Sequence, residues 1–345
     1  MRAVVYSSIG TMPELLDVPE PACPADGAVI AVEATGVCRS DWHAWRGHDP
    51  VALPHIPGHE FAGVVAEVGP DVRDFAVGER VTVPFVNGCG RCEWCLAGQA
   101  QVCPAQTQPG FTGPGSFAEY VAVPAADFNL VRLPDTIDAV TAASLGCRFA
   151  TAYHALTTQA GLTEGEWLAV HGCGGVGLSA VQIGVALGAR VLALDVSGDA
   201  LARAEALGAW PVPVGADPVD AVVARTGGGA HVSMDALGSA ATATASIRGL
   251  RRRGRHLQVG LMFGEHLATP LPWDLVVSRE LRLAGCHGMA ARDYPAMLDL
   301  IAGGTLDPRP LLGRVVGLAD AGAELAAMDH PSGTGGMVVA QVGLR

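Results

Sequence analysis

The chain has little charge and few aromatic rings. Charged residues make up 16% and aromatic residues 5% of its 345 positions, while hydrophobic residues reach 50%. That balance excludes a disordered chain, and the length allows two domains with separate cores. Positive charge is the scarcer sign: 22 Lys and Arg face 34 Asp and Glu, for a net charge of −12. Such a chain repels nucleic acid and anionic lipid unless it carries a local basic patch. Its one basic run, Arg251-Arg252-Arg253-Gly254-Arg255, precedes the apolar stretch from His256 to Leu261. The expected form is a solvated helix end leading into a strand. No apolar run is clean enough to cross a bilayer; the nearest, around Val176 to Leu194, is broken by Gly, Gln and Arg. The start, Met1-Arg2-Ala3-Val4-Val5-Tyr6, reads as a strand and lacks the regions of a targeting peptide. A cytoplasmic location is the expectation. Internal repeats and low-complexity tracts are also missing.

Cysteine is present in a telling pattern. Cys89, Cys92, Cys95 and Cys103 follow C-x2-C-x2-C-x7-C. Thiolates so spaced can close a tetrahedron around one zinc ion without long-range folding. Cysteines two residues apart pair poorly among themselves, which argues against disulfides. An iron–sulfur cluster also takes four thiolates and stays open at this point.

The pattern of the chain changes midway. Val-rich segments such as Ala28 to Ala34, Phe61 to Val68 and Glu79 to Pro84 are short and divided by Gly and Pro. Further on, Trp167 to His171, Arg190 to Asp195, His231 to Asp235, Arg255 to Val259 and Arg282 to Cys286 read as buried strands. Helical segments such as Val176 to Leu187 and Asp199 to Leu207 lie between them, which predicts a parallel sheet covered on both faces. The expected divisions are 1–151 for the first domain, with a metal lobe at 86–104, then 152–287, then 288–345. The last segment holds a helix, Tyr294 to Ile301, and a strand, Gly336 to Val342, that returns to the first domain.

Gly172, Gly174 and Gly177, with Gly175 and Val176 between them, fit G-x-G-x-x-G after a predicted strand and at the start of a predicted helix. Such a turn needs glycine for its backbone angles and for the approach of a pyrophosphate, which the helix start attracts. Asp195 ends the next strand, where an acid accepts hydrogen bonds from ribose hydroxyls and repels a 2′-phosphate. Ser197 and Gly198 follow with no adjacent cation. NAD is expected over NADP.

Three scattered residues suggest a second metal: Cys38 in Gly36-Val37-Cys38-Arg39-Ser40-Asp41, His59 in Gly58-His59-Glu60, and Cys147 in Leu145-Gly146-Cys147-Arg148. Spacing alone does not establish that site, and each residue taken singly reads as packing.

In the order and identity of these motifs the chain resembles the zinc-dependent medium-chain alcohol dehydrogenases over nearly its whole length. The resemblance implies an α/β protein. A GroES-like, mainly β catalytic domain is joined to a Rossmann domain, with the active site between them. It implies two zinc ions per chain and NAD. Cys38, His59 and Cys147 match the catalytic zinc ligands, and Cys89, Cys92, Cys95 and Cys103 the structural ones. Ser40 resembles the first proton acceptor, His43 the next relay group toward solvent. Asp41 would fix the His59 imidazole, and Glu60 would lie beside the metal and transiently replace the open-site ligand. Arg39 looks like a pyrophosphate contact, and Thr151 and Val176 match residues that press on the nicotinamide ring. Phe85, Trp42 and His287 are implied for the substrate pocket, with Trp45 and His48 near it. An aromatic pocket, and Cys147 where polyol dehydrogenases carry glutamate, favour primary or aromatic alcohols. Polyol, formaldehyde and amino-acid side-chain oxidation on the same fold are the alternatives, and a silent NAD-binding protein a remote one. The short run from Cys103 to Cys147 resembles the tetrameric microbial branch, so a homotetramer, or else a homodimer, is expected. One departure stands out: Met337 falls where many relatives place an arginine on the pyrophosphate. Weaker NAD binding is expected from that, and tighter binding from Met337→Arg. Cys23, Cys173 and Cys286 have no assigned role beyond packing.

Overall fold

The computed structural model describes residues 1–213, 215–330 and 336–343. It divides into two compact units. The first comprises Met1–Ala150 and Gly288–Arg345, the second Thr151–His287.

The first unit is built on a mixed sheet in the order Leu312–Gly317, Met337–Gln341, Ala28–Val37, Glu60–Val68, Arg80–Thr82, Val131–Arg132. Tyr120–Val123 also pairs with the Ala28–Val37 strand. These are Val- and Ala-rich runs interrupted by Gly and Pro, which favours short, half-buried strands. Ile30, Phe61, Val65, Val81 and Val121 form one packed side of the sheet. Val4, Tyr6, Trp45, Phe117 and Leu325 form another cluster. The antiparallel register that sets Gly36 opposite Glu60 brings the end of one strand beside the start of the other. Cys38 and His59, twenty-one positions apart in sequence, thus arrive at the same edge. The closing strand does return to this unit, with Val339 opposite Gly36.

The second unit holds six parallel strands in the order Trp210–Pro211, Arg190–Leu194, Trp167–His171, Ala230–Asp235, Leu250–Gln258, Arg282–Gly285. Numbered along the chain, that order is 3-2-1-4-5-6, the doubly wound dinucleotide-binding arrangement. Its strands are apolar on both faces: Leu168, Ala169, Val170, Val191, Leu192, Val232 and Met234 are all buried. The GroES-like plus Rossmann reading of the fold holds.

The basic run differs from expectation. Its residues belong to the strand Leu250–Gln258, while the preceding helix stops at Arg248. Ala230 aligns with Leu250 but Val232 aligns with Arg255, so residues 251 to 254 bulge out of the ladder. The bulge lets three exposed arginines sit at the sheet's end without burying charge.

No helix among the described residues is long and apolar enough to cross a membrane.

Candidate active site and metal centres

The Sγ atoms of Cys38 and Cys147 and a ring nitrogen of His59 lie within 4.8 Å of one another. Each is delivered by a different device. Cys38 precedes the short helix Arg39–Trp45. His59 precedes the strand Glu60–Val68. Cys147 sits on the π-helical turn Leu145–Phe149, and Tyr294 Oη braces that turn by donating to Gly146 O at 3.0 Å.

Asp41 ties two of these together. It is fully buried, and its Oδ2 accepts from Cys38 N at 3.2 Å. Its Oδ1 accepts from Gly58 N at 2.9 Å and from His59 Nδ1 at 2.8 Å. The carboxylate therefore fixes the imidazole with its proton on Nδ1 and its lone pair on Nε2. That Nε2 is buried and makes no hydrogen bond within the protein. A buried acceptor without a partner is costly, and a metal ion at the thiolate pair resolves it. Burial pulls the His59 pKa down, but Asp41 and the Cys38 thiolate outweigh it and set it well above its ordinary value, so a metal ion at Nε2 would take the place of a proton there. A hydrogen bond from Cys147 holds Cys38 well below the usual thiol range; the same bond, with burial, pushes Cys147 well above. One proton is thus shared where a cation would replace it. Two thiolates and one imidazole leave a fourth zinc position for a substrate oxygen.

Glu60 is held more tightly than the sequence suggested. Its carboxylate is buried against Arg148, with Nη2 to Oε2 at 2.5 Å and Nε to Oε1 at 3.3 Å. Oε1 also accepts from Cys147 N at 3.0 Å and Arg148 N at 3.1 Å. The clamp explains Gly36: a Cβ there would lie 2.8 Å from Glu60 Oε2 and 3.1 Å from Arg148 Nη2.

Aromatic rings wall the His59 side. The Phe85 ring is 5.9 Å from the imidazole and nearly perpendicular to it, and Phe111 is 5.1 Å away. Trp42 is half-buried; its Nε1 donates to Asp329 Oδ1 at 2.8 Å. Arg39 is exposed, stacks 4.7 Å over Trp42 and donates to Met328 O at 2.8 Å. Ser40 and His43 occupy one side of the same helix, three positions apart. His43 lies 3.0 Å from His48 through their Nδ1 atoms.

The four cysteines of the lobe also converge within 4.8 Å. Cys92 and Cys103 place their sulfurs 3.7 Å apart. That matches the edge of a zinc–thiolate tetrahedron, about 3.8 Å for bonds of about 2.3 Å. All nine cysteines are free, and the lobe contains no disulfide. Cys92 caps the short helix Glu93–Leu96, its Sγ accepting from Cys95 N. Hydrogen bonds from the Arg91 and Cys92 backbone, outweighing slight burial, bring Cys89 down to about 6. Burial and the neighbouring thiols push Cys95 up to about 12.

In the second unit, Gly172 takes φ +93°, and a Cβ on Gly177 would fall 1.8 Å from Gly172 O. Both positions demand glycine. At Gly174 nothing lies within 4 Å of an added Cβ, which leaves open space at the start of the helix Gly175–Ala186. Asp195 spans two loops: Oδ2 accepts from Cys173 N at 2.7 Å and Oδ1 from Ser197 N at 2.8 Å. Each oxygen keeps a second lone pair for ribose hydroxyls. The chain has no lysine; all 22 basic residues are arginine. A cationic side chain that meets a cofactor phosphate here can therefore be only arginine or a protonated histidine. Thr151 is buried, and its carbonyl accepts from Cys286 Sγ at 3.5 Å. Val176 and His287 are half-buried. Met337 is 3% exposed at the start of its strand.

Sequence reading missed Arg148, Phe111, Tyr294 and the His43–His48 contact. Only Arg148 left a trace, as a charge within an apolar run beside Cys147.

The alcohol dehydrogenase GroES-like domain family matches residues 24–135, and the zinc-binding dehydrogenase family matches residues 175–303. An alcohol dehydrogenase of Geobacillus stearothermophilus is 34% identical over 89% of the chain and 90% of its own length. The solved alcohol dehydrogenase TADH from Thermus sp. ATN1 superposes with a TM-score of 0.92 at 30% identity, covering 99% of this chain and 100% of its own. An NAD-dependent alcohol dehydrogenase structure gives 0.89 at 31% identity over 99% and 100%. With two thiolate-rich metal sites and a dinucleotide turn in place, the chain belongs to the zinc-type medium-chain alcohol dehydrogenases, oxidoreductases that work with zinc and NAD.

Proposed function

We propose that the protein interconverts primary or aromatic alcohols with their aldehydes, using NAD, at the Cys38–His59–Cys147 site. The observation that carries this reading is the buried His59 Nε2, fixed by Asp41 and directed at two cysteine sulfurs with no protein partner of its own. Zinc bound there supplies Lewis acidity toward an alcohol oxygen, and NAD supplies the hydride acceptor.

The protein's own residues do the rest. Cys38, His59 and Cys147 hold the ion, and Asp41 keeps the imidazole in its ligating tautomer. Ser40 receives the proton of the substrate hydroxyl, and His43 carries it outward. Phe85 and Phe111 shape an apolar wall that accepts an alkyl or aryl group and excludes water. Glu60, held by Arg148 and two backbone N–H groups, supports the Cys147 turn in its resting position. Gly172, Gly174, Gly175 and Gly177 receive the pyrophosphate at the helix start, Asp195 the adenosine ribose, and Thr151 and Val176 the nicotinamide side. Arg39 and His287 are assigned to the cofactor and substrate ends of the site. Cys89, Cys92, Cys95 and Cys103 hold a second zinc with no open position.

The test is a panel of benzyl alcohol, ethanol, sorbitol, formaldehyde and threonine, with NAD and with NADP, read by NADH or NADPH absorbance. Benzyl alcohol with NAD is expected to lead. Turnover confined to sorbitol, formaldehyde or threonine would overturn the substrate reading. Assembly as a homotetramer is part of the same proposal, and a monomeric mass by light scattering would refute it. So is a cytoplasmic location, which fractionation of cells carrying the tagged chain checks.

A further inference from the structure

We propose that His48 is a second proton-relay residue, taking from His43 the proton that alcohol oxidation releases and passing it to water. This rests on the alcohol-oxidising reading above, but it adds a step and a residue.

Two independent contacts pair these histidines. Their side chains meet Nδ1 to Nδ1 at 3.0 Å. Their backbones meet as well: His48 N donates to His43 O at 2.9 Å. Gly47, at φ +77°, turns the chain back after the helix Arg39–Trp45 and makes that return possible. Trp42 packs edge-on against both rings, with centroids 5.0 Å from His43 and 5.3 Å from His48. Trp42 is itself fixed by Asp329 on one edge and by the Arg39 guanidinium over its face. Asp329 also holds Arg46. The rings are therefore braced rather than casually adjacent.

The burial runs in the useful direction. His43 is half-buried on the helix that carries Ser40, while His48 is exposed. An imidazole can accept a proton on one nitrogen and release another from the opposite one. With Nδ1 facing Nδ1, one nitrogen must donate and the other accept. A proton arriving at His43 Nε2 makes an imidazolium, whose Nδ1 proton then crosses to His48 Nδ1. His48 releases its Nε2 proton to solvent; both rings are then neutral in the opposite tautomers, and proton exchange with water restores the starting pair before the next turnover. One proton enters and one leaves, and no electrons move. Burial first, then the nearby His48 and Arg39, pull His43 down to about 4, against a smaller opposing pull from Cys38. Asp49 stands next along the turn, its backbone N–H also directed at His43 O. A histidine kept neutral transmits a proton without storing it.

The test uses the full-length zinc-loaded enzyme and the variants His48→Gln, His43→Gln and the double. We expect His48→Gln to lower kcat about tenfold with little change in KM, less than the roughly 100- to 10,000-fold typical of a group that moves the proton at the reacting atoms themselves. The deficit should shrink as imidazole is added to the buffer, and the pH dependence of kcat should shift. The double variant should be no slower than His43→Gln alone, because a relay fails as one unit. A kcat–pH profile of His48→Gln identical to the parent overturns the relay, as does a deficit indifferent to imidazole. Additive losses in the double variant overturn it too. If His48→Gln does not fold, His48→Ala, which leaves space for imidazole to enter, is read by the same rescue. A parent enzyme that forms no NADH from any alcohol overturns both the activity and the relay; NADH formation with an intact profile in His48→Gln overturns the relay alone.

Discussion

The lobe draws its four sulfurs from residues 89 to 103, whereas the trio reaches from residue 38 to residue 147. In the lobe, the ligands and the backbone N–H groups that bond their sulfurs come from one short stretch of chain. In the trio, two of the three ligands depend on distant partners: His59 on Asp41, the Cys147 turn on Glu60 and Tyr294. Four ligands close a zinc site and three leave it open. The closed site can be made by local chain geometry, while the open one needs a whole folded unit to hold it ready. Removing support should therefore damage the two sites differently.

Cys38→Ser tests the sharpest form of that contrast. NADH formation should fall to background, roughly 1000-fold or more, since the open metal position is lost. Zinc content should drop by one ion while the lobe keeps its own. Two retained zincs with full activity would show the trio is not the reactive site. Arg148→Met comes next. It strands the buried Glu60 carboxylate and should cost about 3–5 kcal/mol of stability, read from denaturant unfolding, with partial recovery in Glu60→Gln/Arg148→Met. Unchanged stability would mean the pair does not support the Cys147 turn. Asp41→Asn should weaken zinc retention or turnover roughly 10–100-fold, seen as faster loss of one zinc to a chelator. The smallest effect on turnover belongs to the lobe. Cys103→Ser should release one zinc and lower the melting temperature, yet change kcat per folded molecule less than about threefold, because that zinc offers no open position. A loss as deep as that of Cys38→Ser would erase the distinction between the two sites.

Much of this was legible in residue spacing. The lobe is a local pattern, and the parallel strands of the second unit announce themselves as short apolar runs between helical ones. Gly172 and Gly177 are required by backbone geometry alone, so the turn could be read directly. The trio was legible only through resemblance, since nothing in the spacing of Cys38, His59 and Cys147 reveals that an antiparallel register brings the first two together. Arg148 and Glu60 stayed hidden for the same reason: a pair separated by 88 positions leaves no periodic trace. The run at Arg251 to Arg255 misled because its charge suggested a helix end. A bulge instead carries the arginines out of a strand whose later part, Arg255 to Gln258, is paired on both sides.

The order of ligands along the chain also sets an order in time. A growing chain that has passed residue 103 already carries all four lobe thiolates, while Cys147 is still unmade. The strand Met337–Gln341, which lies against the segment leading into Cys38, is made later still. The ion that does no chemistry can thus be captured early, from contacts close in sequence, and the ion that does the chemistry only after the distant ones close.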